Sequence, residues 1–346
     1  MAQQKTESGV KLLKNDISSG LIKNLYIFHG EEKYLLEHYL GQLRAKLVDP
    51  AMEQFNSIVL EGKDLSMDDL SDAVESLPMF SEHKLVVVRD FDIYKADESK
   101  RNLLESLIAD IPDSTCLVFV YDLLEFKADA RMKIHKAIVK TGRIVEFPKQ
   151  ETGDLVAWLK RRFRALGKYI DSSEAEYMLF ICGKLMQPLA LEVEKVAAYA
   201  KSERIGRSDI DAVCSPVLDA VMYKMTDAVI EQRYGDAIKV LRDLVAMKNE
   251  PIALLAALGK QLRTLLYTCV AIEKGGAETF LRQEMGITYP FIIQKTIANA
   301  GKLTFAWCSK AVRMCAECDY RMKTTGEDKG QLLEFLILRL SQLKVE

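Results

Sequence analysis

The first 147 residues alternate short apolar runs with stretches in which apolar residues recur every three or four positions. Short apolar runs predict buried strands, and the three-to-four spacing predicts helices. One of these helices has Asp64 or Ser66 as its expected N-cap. The apolar runs predict five strands: Leu25–His29, Asn56–Leu60, Leu85–Val88, Cys116–Val120 and Ile144–Phe147. Strands that alternate with helices predict an α/β domain with a mostly parallel sheet covered on both faces.

After Pro148 the strand pattern stops and only helical spacing continues. An amphipathic helix over Thr152–Leu166, two further helices and a short helix that starts at Arg207 predict a small helical domain. From Pro216 onward the apolar residues keep the helical spacing, and Pro251 suits a first helical turn. We therefore expect an α/β domain at 1–147 and two all-α domains at 148–214 and 215–346.

Composition narrows the class of protein. Hydrophobic residues make up 49% of the 346 residues and charged residues 28%, which is typical of a well-packed soluble protein. The net charge of −2 argues against a protein that coats nucleic acid by bulk electrostatics. The first ten residues lack the apolar segment of a secretory signal, and no uncharged apolar run is long enough to span a membrane. We expect a cytoplasmic protein without a membrane partner.

The position after the first strand is where a nucleotide-binding fold carries its phosphate loop. Such a loop needs several glycines, a Lys for the phosphates and a Ser or Thr for magnesium. The chain has Gly30, Glu31, Glu32 and Lys33 there. Two carboxylates near a helix N-terminus would interact with the helix dipole themselves and would repel a triphosphate. We therefore predict a degenerate phosphate loop and no nucleotide cofactor.

No other group of residues predicts catalysis or metal binding. Without a phosphate loop, we interpret Asp90 and Asp92 after the third strand as solvated loop acids. Cys315-x-x-Cys318, with Cys308 upstream, has no second ligand pair or histidine nearby, whereas zinc requires four ligands. Core packing is favoured for these cysteines, and the four histidines form no nucleophilic triad. We predict no catalytic residue and no metal site.

The predicted helix at 152–166 carries a set of basic side chains. They could contact DNA phosphates, or they could simply form a solvated helix face, and the sequence does not decide between these alternatives. The set consists of Lys160, Arg161, Arg162 and Arg164.

The segment Ser76–Glu82 joins a predicted helix to a predicted strand. Pro78 ends the helix and enforces an extended turn, so Leu77, Met79 and Phe80 have no periodic reason to be buried. An apolar triplet on a Pro-stiffened turn suits a pocket of a partner protein. The alternative is a helix-to-strand cap that packs on its own sheet, and sequence physics alone favours that alternative.

The segment Leu77–Val88 (LPMFSEHKLVVV) resembles the stretch of bacterial DNA polymerase III delta subunits that binds the sliding clamp. Leu25–Leu36 (LYIFHGEEKYLL) is similar to the first strand and degenerate phosphate loop of that family. The order and spacing of the similar segments, rather than any one motif, carry the resemblance. Further similar segments follow in the family's order: Leu155–Ile170, Leu189–Tyr199, Ala246–Leu265 and Cys318–Thr324.

The resemblance implies an AAA+-like core without ATPase function, a helical lid, and a helical collar that assembles with clamp-loader ATPase and delta-prime subunits. It implies that Leu77, Pro78, Met79 and Phe80 bind the sliding clamp, the beta subunit, and help to open it. Primer–template DNA would be a further partner in the assembled complex. The chain itself would be no enzyme.

Two other functions remain open. One is a divergent AAA+ ATPase with an unusual phosphate site. The other is a helical scaffold or adaptor with a degenerate nucleotide-binding domain, in which Leu77–Phe80 is merely part of the core.

Overall fold

The computed structural model describes residues 9–343 of the 346-residue chain. The chain divides into two compact units. The first contains the chain up to Ala157 together with Lys184–Leu191, and the second contains Trp158–Gly183 together with the chain from Glu192 onward. The finer division at 147/148 and 214/215 remains a prediction.

The first unit is built on a five-stranded sheet with the order β2-β3-β4-β1-β5. Every neighbouring pair is parallel, so that Ile27 lies opposite Phe119 on one side and Ile144 on the other. β3 and β4 are buried over nearly their whole length, which explains their continuous apolar runs. The predicted sheet is confirmed, with strand ends that differ by one residue at most. The strands are β1 (Leu25–His29), β2 (Ser57–Glu61), β3 (Lys84–Arg89), β4 (Thr115–Val120) and β5 (Arg143–Glu146).

Helices connect these strands. Ser66 is the N-cap of the fourth helix, where its hydroxyl accepts the N–H of Asp69 at 3.0 Å. Of the two predicted caps, Ser66 is therefore the one used. Single 3₁₀ turns occur at Pro50–Met52 and Gly62–Asp64. The helices are α1 (Gly9–Ser19), α2 (Lys33–Leu47), α3 (Glu53–Asn56), α4 (Met67–Glu75), α5 (Glu98–Ala109) and α6 (Lys133–Thr141).

Successive residues of each strand point to opposite faces and build two separate cores. Tyr26 and Phe28 pack with residues of α1 and α2 on one face. Ile27, Val86 and Phe119 pack with residues of α4, α5 and α6 on the other. The sheet is therefore covered on both faces, as the alternation of strands and helices predicts.

Helix α1 was not predicted from the sequence. Its Leu13 is fully buried, and its Asp16 accepts a hydrogen bond from the Tyr26 hydroxyl at 2.9 Å. Arg143 of β5 forms a two-pronged ion pair with the same carboxylate, at 2.5 and 2.9 Å. These contacts attach α1 to the sheet.

The rest of the chain is mostly helical. The core of the second unit contains residues of α11, α13, α16 and α17, among them Leu262, Trp307 and Leu333. Pro251 occupies the first turn of α13, as predicted. The helices are α7 (Thr152–Ala165), α8 (Ser172–Cys182), α9 (Met186–Tyr199), α10 (Arg207–Val213), α11 (Leu218–Ile230), α12 (Tyr234–Ala246), α13 (Pro251–Glu273), α14 (Ala277–Gln283), α15 (Pro290–Ala300), α16 (Phe305–Thr324) and α17 (Lys329–Leu340).

Two very short strands, β6 (Tyr169–Ile170) and β7 (Arg204–Ile205), pair in parallel in the second unit. The expectation that strands end at Pro148 was wrong at this point. Two residues are too few to produce a period-two pattern, so the sequence carries no strand signal there. The predicted fold class, an α/β domain followed by helices, is confirmed.

Candidate functional site

Leu77–Phe80 lies between α4 and β3, at the edge of the sheet where the strands begin. Leu77 is 87% exposed and Phe80 is 85% exposed, while Met79 is 44% exposed. Helix α4 ends at Glu75, as expected when a Pro follows closely. The alternative of a cap that packs on its own sheet is therefore wrong for Leu77 and Phe80.

Two buried polar side chains contact the backbone around this segment. The amide of Asn56 bonds both backbone groups of Met79, accepting its N–H at 2.7 Å and donating to its carbonyl at 2.9 Å. The ammonium of Lys84 donates to the carbonyl of Ala73 at 2.6 Å and to the hydroxyl of Ser76 at 2.8 Å. Burial lowers the pKa of Lys84. Sequence reasoning missed both residues, although each is a polar residue at the head of an apolar strand.

At the opposite edge, where the strands end, the residues of the expected degenerate phosphate loop contact other parts of the protein. Gly30 has a φ of 129°, and a Cβ there would lie 2.3 Å from the carbonyl oxygen of Phe147. The glycine therefore allows two backbones to approach closely. Glu32 is the N-cap residue of α2, but its buried carboxylate accepts the N–H of Met186 at 3.3 Å, and burial raises its pKa.

Lys33, the cation in this position, is engaged within the protein. Its ammonium donates to the carbonyl of Tyr121 at 2.9 Å and lies 3.4 Å from the carboxylate of Asp122. A phosphate-loop lysine instead directs its charge at the phosphates of a nucleotide. The contacts of Lys33 thus stabilise the end of β4.

Asp90 has a structural role that the sequence did not suggest. One of its carboxylate oxygens accepts the N–H groups of Asp122–Leu124, at 2.9, 2.8 and 3.0 Å. Its φ of 54° lies in the left-handed region, which Asp tolerates better than most residues. Asp90 is a partly exposed loop acid, as interpreted from the sequence, but its carboxylate also organises the loop after β4. Asp92 pairs with Lys95 at 2.9 Å.

The four basic candidates on α7 differ in their surroundings. Lys160 donates to the hydroxyl of Ser172 at 2.7 Å, and Arg162 lies 3.5 Å from the carboxylate of Glu194. Arg161 and Arg164 are exposed. The two arginines are thus the more accessible members of the predicted set, and the DNA contact itself remains a prediction.

The cysteines of α16 lie in the core of the second unit, as favoured from the sequence: Cys308, Cys315 and Cys318. Among residues 9–343, one group of three potential metal ligands has its ligand atoms within 4.8 Å of one another, namely Cys182, Glu192 and Cys214. Glu192 lies 2.8 Å from the ammonium of Lys195. The pKa of Cys182 is raised by its hydrogen bond with Cys214 and by burial. Because metal ions bind thiolates, the raised pKa of Cys182 and the ion pair of Glu192 with Lys195 favour simple packing.

None of the helices within residues 9–343 has both the length and the apolar character needed to cross a bilayer.

Comparison with known proteins gives one consistent family. A family model described as DNA polymerase III, delta subunit, matches residues 26–148. A second model, for the C-terminal domain of the same subunit, matches residues 219–340. The two matches together span well over half of the chain.

Full-length relatives and a solved structure agree with these models. The chain is 23% identical to DNA polymerase III subunit delta of Bacillus subtilis over 331 residues, which is 94% of both chains. It is 26% identical over 329 residues to a probable DNA polymerase III subunit delta of Aquifex aeolicus, which is 92% of both chains. The structure of the Bacillus subtilis DNA clamp loader delta protein has a similar fold, with a TM-score of 0.51 and 22% identity, over 96% of this chain and 100% of that one.

Proposed function

Because the chain belongs to the DNA polymerase III delta-subunit family, we propose that it binds a bacterial sliding clamp and favours the clamp's open form. Leu77, Pro78, Met79 and Phe80 form the proposed clamp-binding segment. Two large apolar side chains that enter a partner's pocket can dominate the binding energy of an interface. Such binding opens a clamp only if the segment binds the open form more tightly than the closed form.

The observation that carries this proposal is the exposure of Leu77 and Phe80 on a segment whose backbone is held by buried side chains. A flexible apolar loop would lose entropy when it binds, whereas a segment that is already ordered loses less. A Leu and a Phe held out in water have no role in the core of their own domain. They are therefore suited to a partner surface.

We further propose that this chain does not hydrolyse ATP. Lys33 and Asp90, at positions where an ATPase could hold phosphates and magnesium, are bonded to the chain after β4. In this proposal the ATP-dependent step belongs to the ATPase subunits of a clamp loader. The partners of this chain would be those subunits, a delta-prime subunit and, within the complex, primer–template DNA, which Arg161 and Arg164 would contact.

The test is direct binding of the purified full-length chain to the sliding clamp of its own bacterium, with and without ATP. We expect binding that needs no nucleotide, and a loss of affinity of about 100-fold or more in Leu77→Ala/Phe80→Ala, since two hot-spot side chains are removed. The matched control is Leu123→Ala, because Leu123 is 89% exposed on the loop after β4. The control should bind as tightly as the wild type.

The alternatives give other results. Clamp binding that strictly requires ATP, together with nucleotide binding that is lost in Lys33→Ala, would favour a divergent ATPase. A wild-type chain that does not bind the clamp would reject the proposed function and favour a scaffold. Opening itself is measured as a distance change across a fluorescently labelled clamp interface, and binding without such a change would reject the opening step alone.

A further inference from the structure

Phe80 has an unusual backbone conformation. Its φ of 48° lies in the left-handed region, which is sterically unfavourable for a bulky residue. Because the side chain is 85% exposed, its own packing within the domain cannot offset this cost. Such a conformation persists only where the surrounding structure holds it. Neighbouring groups must therefore fix the backbone on either side of Phe80.

Asn56 bonds the residues on both sides of Phe80, through the backbone of Met79 and the hydroxyl of Ser81. Its side chain is fully buried, its Oδ1 accepts the N–H of Met79 at 2.7 Å, and its Nδ2 donates to the carbonyl of Met79 at 2.9 Å. The same Nδ2 donates to the hydroxyl of Ser81 at 3.0 Å. An amide offers two donors and a carbonyl acceptor, and here both of its polar atoms are used on residues 79 and 81. The strained residue lies between them.

Lys84 fixes the start of the segment. It is 1% exposed, and its ammonium donates to the carbonyls of Ala73 and Ser76 and to the Ser76 hydroxyl. These acceptors lie at the C-terminal end of α4, where the helix dipole favours a cation. All three ammonium hydrogens are thereby used. The point at which α4 ends, and from which Leu77 extends, is fixed by β3.

We propose that Asn56 is the positioning residue of the clamp-binding segment: it holds Phe80 in the left-handed conformation that presents its ring to the clamp, while Lys84 fixes the preceding end of α4. This inference rests on the proposed function. Asn56 lies just before β2 and Lys84 begins β3, so the sheet itself orders the exposed anchors.

The first experiment is a double-mutant cycle on clamp affinity. We expect Asn56→Ala to weaken clamp binding about tenfold or more by loss of pre-organisation. In the Leu77→Ala/Phe80→Ala background the same substitution should cause no further loss, because residues that act through each other are not additive. The matched control is Asn24→Ala. Asn24 lies just before β1 at the same edge, and its amide donates to the carbonyl of Pro112 at 3.0 Å, away from the segment.

The second measurement does not depend on the clamp. Hydrogen exchange of the Met79 amide should be slow in the wild type and in Asn24→Ala, and fast in Asn56→Ala. If Asn56→Ala does not fold, Ser81→Ala is the second variant, because it removes one of the three hydrogen bonds of the Asn56 amide. It should weaken clamp binding about twofold to threefold, in line with the modest value of one hydrogen bond.

Each outcome decides one question. Unchanged exchange of the Met79 amide in Asn56→Ala would show that Asn56 does not hold the Met79 backbone, regardless of the clamp affinity. Fast exchange with wild-type clamp affinity, or an additive loss in the triple variant, would reject the positioning role. A wild-type chain that does not bind the clamp would reject the proposed function. A faster exchange of the Met79 amide in Asn56→Ala would still show that Asn56 holds the backbone of this segment.

Discussion

The two edges of the sheet in the first unit use polar side chains in different ways. Where the strands end, Lys33 and Asp90 bond the chain after β4. Where the strands begin, Asn56 and Lys84 bond the chain between α4 and β3. At the first edge the polar groups satisfy one another. At the second they hold two apolar side chains in water.

Under the proposed function, a nucleotide-type fold serves protein binding through the edge where the strands begin. Losing a phosphate site does not require losing the sheet, because internal bonds can replace those to the ligand. Leu77 and Phe80 expose large apolar side chains to water, and under the proposed function the clamp covers them. Under the proposed function, the edge where the strands begin is the edge that binds the clamp.

The largest effect that we expect contrasts two phenylalanines. Phe119→Ala removes a fully buried ring of β4 and should lower the free energy of unfolding by about 3–5 kcal/mol. Phe80→Ala should change it by no more than about 0.5 kcal/mol, because the ring is exposed. Urea unfolding of the two variants measures both values. A loss of several kcal/mol in Phe80→Ala would show that the Phe80 ring contributes to the core and would contradict its exposure.

An intermediate effect is expected at Asp90. Asp90→Ala removes the acceptor of three N–H groups and should cost about 1.5–3 kcal/mol of stability, as for hydrogen bonds to a charged group. Asp90→Asn keeps an acceptor and tolerates the left-handed backbone, so it should cost less. Urea unfolding gives the stability, and clamp affinity should remain at the wild-type value in both variants. Weaker clamp binding by a folded Asp90→Asn would contradict the separation of the two edges.

The last effect is confined to alkaline pH and concerns Tyr94, which follows β3. Burial, and secondarily the charge of Asp129, raises the pKa of Tyr94 to about 12 from 10.0. The folded state thus keeps the phenol proton that the unfolded chain loses first, so this contribution to stability is complete below pH 10 and is lost as the pH rises to about 12. Tyr94→Phe should make the alkaline fall of the unfolding free energy shallower, which urea unfolding at several pH values between about 8 and 12 measures. An unchanged slope in Tyr94→Phe would contradict the shift.

Much of this architecture could be predicted from the sequence. The apolar runs located all five strands of the main sheet to within one residue, since buried parallel strands need continuous apolar residues. Helix α1 was missed even though Val10, Leu13 and Ile17 have helical spacing, because the first twenty residues resemble no segment of the family. The strands β6 and β7 were missed because two residues form no pattern.

The candidate segment shows the same division. Pro78 and the apolar residues around it were visible as a pattern, but a pattern cannot distinguish an exposed anchor from a cap on the sheet. That distinction depends on which residues contact the segment in the folded structure. Asn56 is 23 residues from Met79 along the chain, and Asp90 is 32 residues from Asp122. Contacts at such separations leave no local periodicity.

The sequence by itself determined the α/β-then-helical order, the loss of the phosphate-loop residues and the family. Each of these follows from residue type and local spacing, which the chain carries in linear order. Only the tertiary structure decided that Leu77 and Phe80 face solvent, that Asp90 binds three backbone N–H groups, and that Asn56 and Lys84 hold the segment between α4 and β3. These facts depend on which strands become neighbours, because a buried polar side chain must bond whatever backbone the fold places beside it.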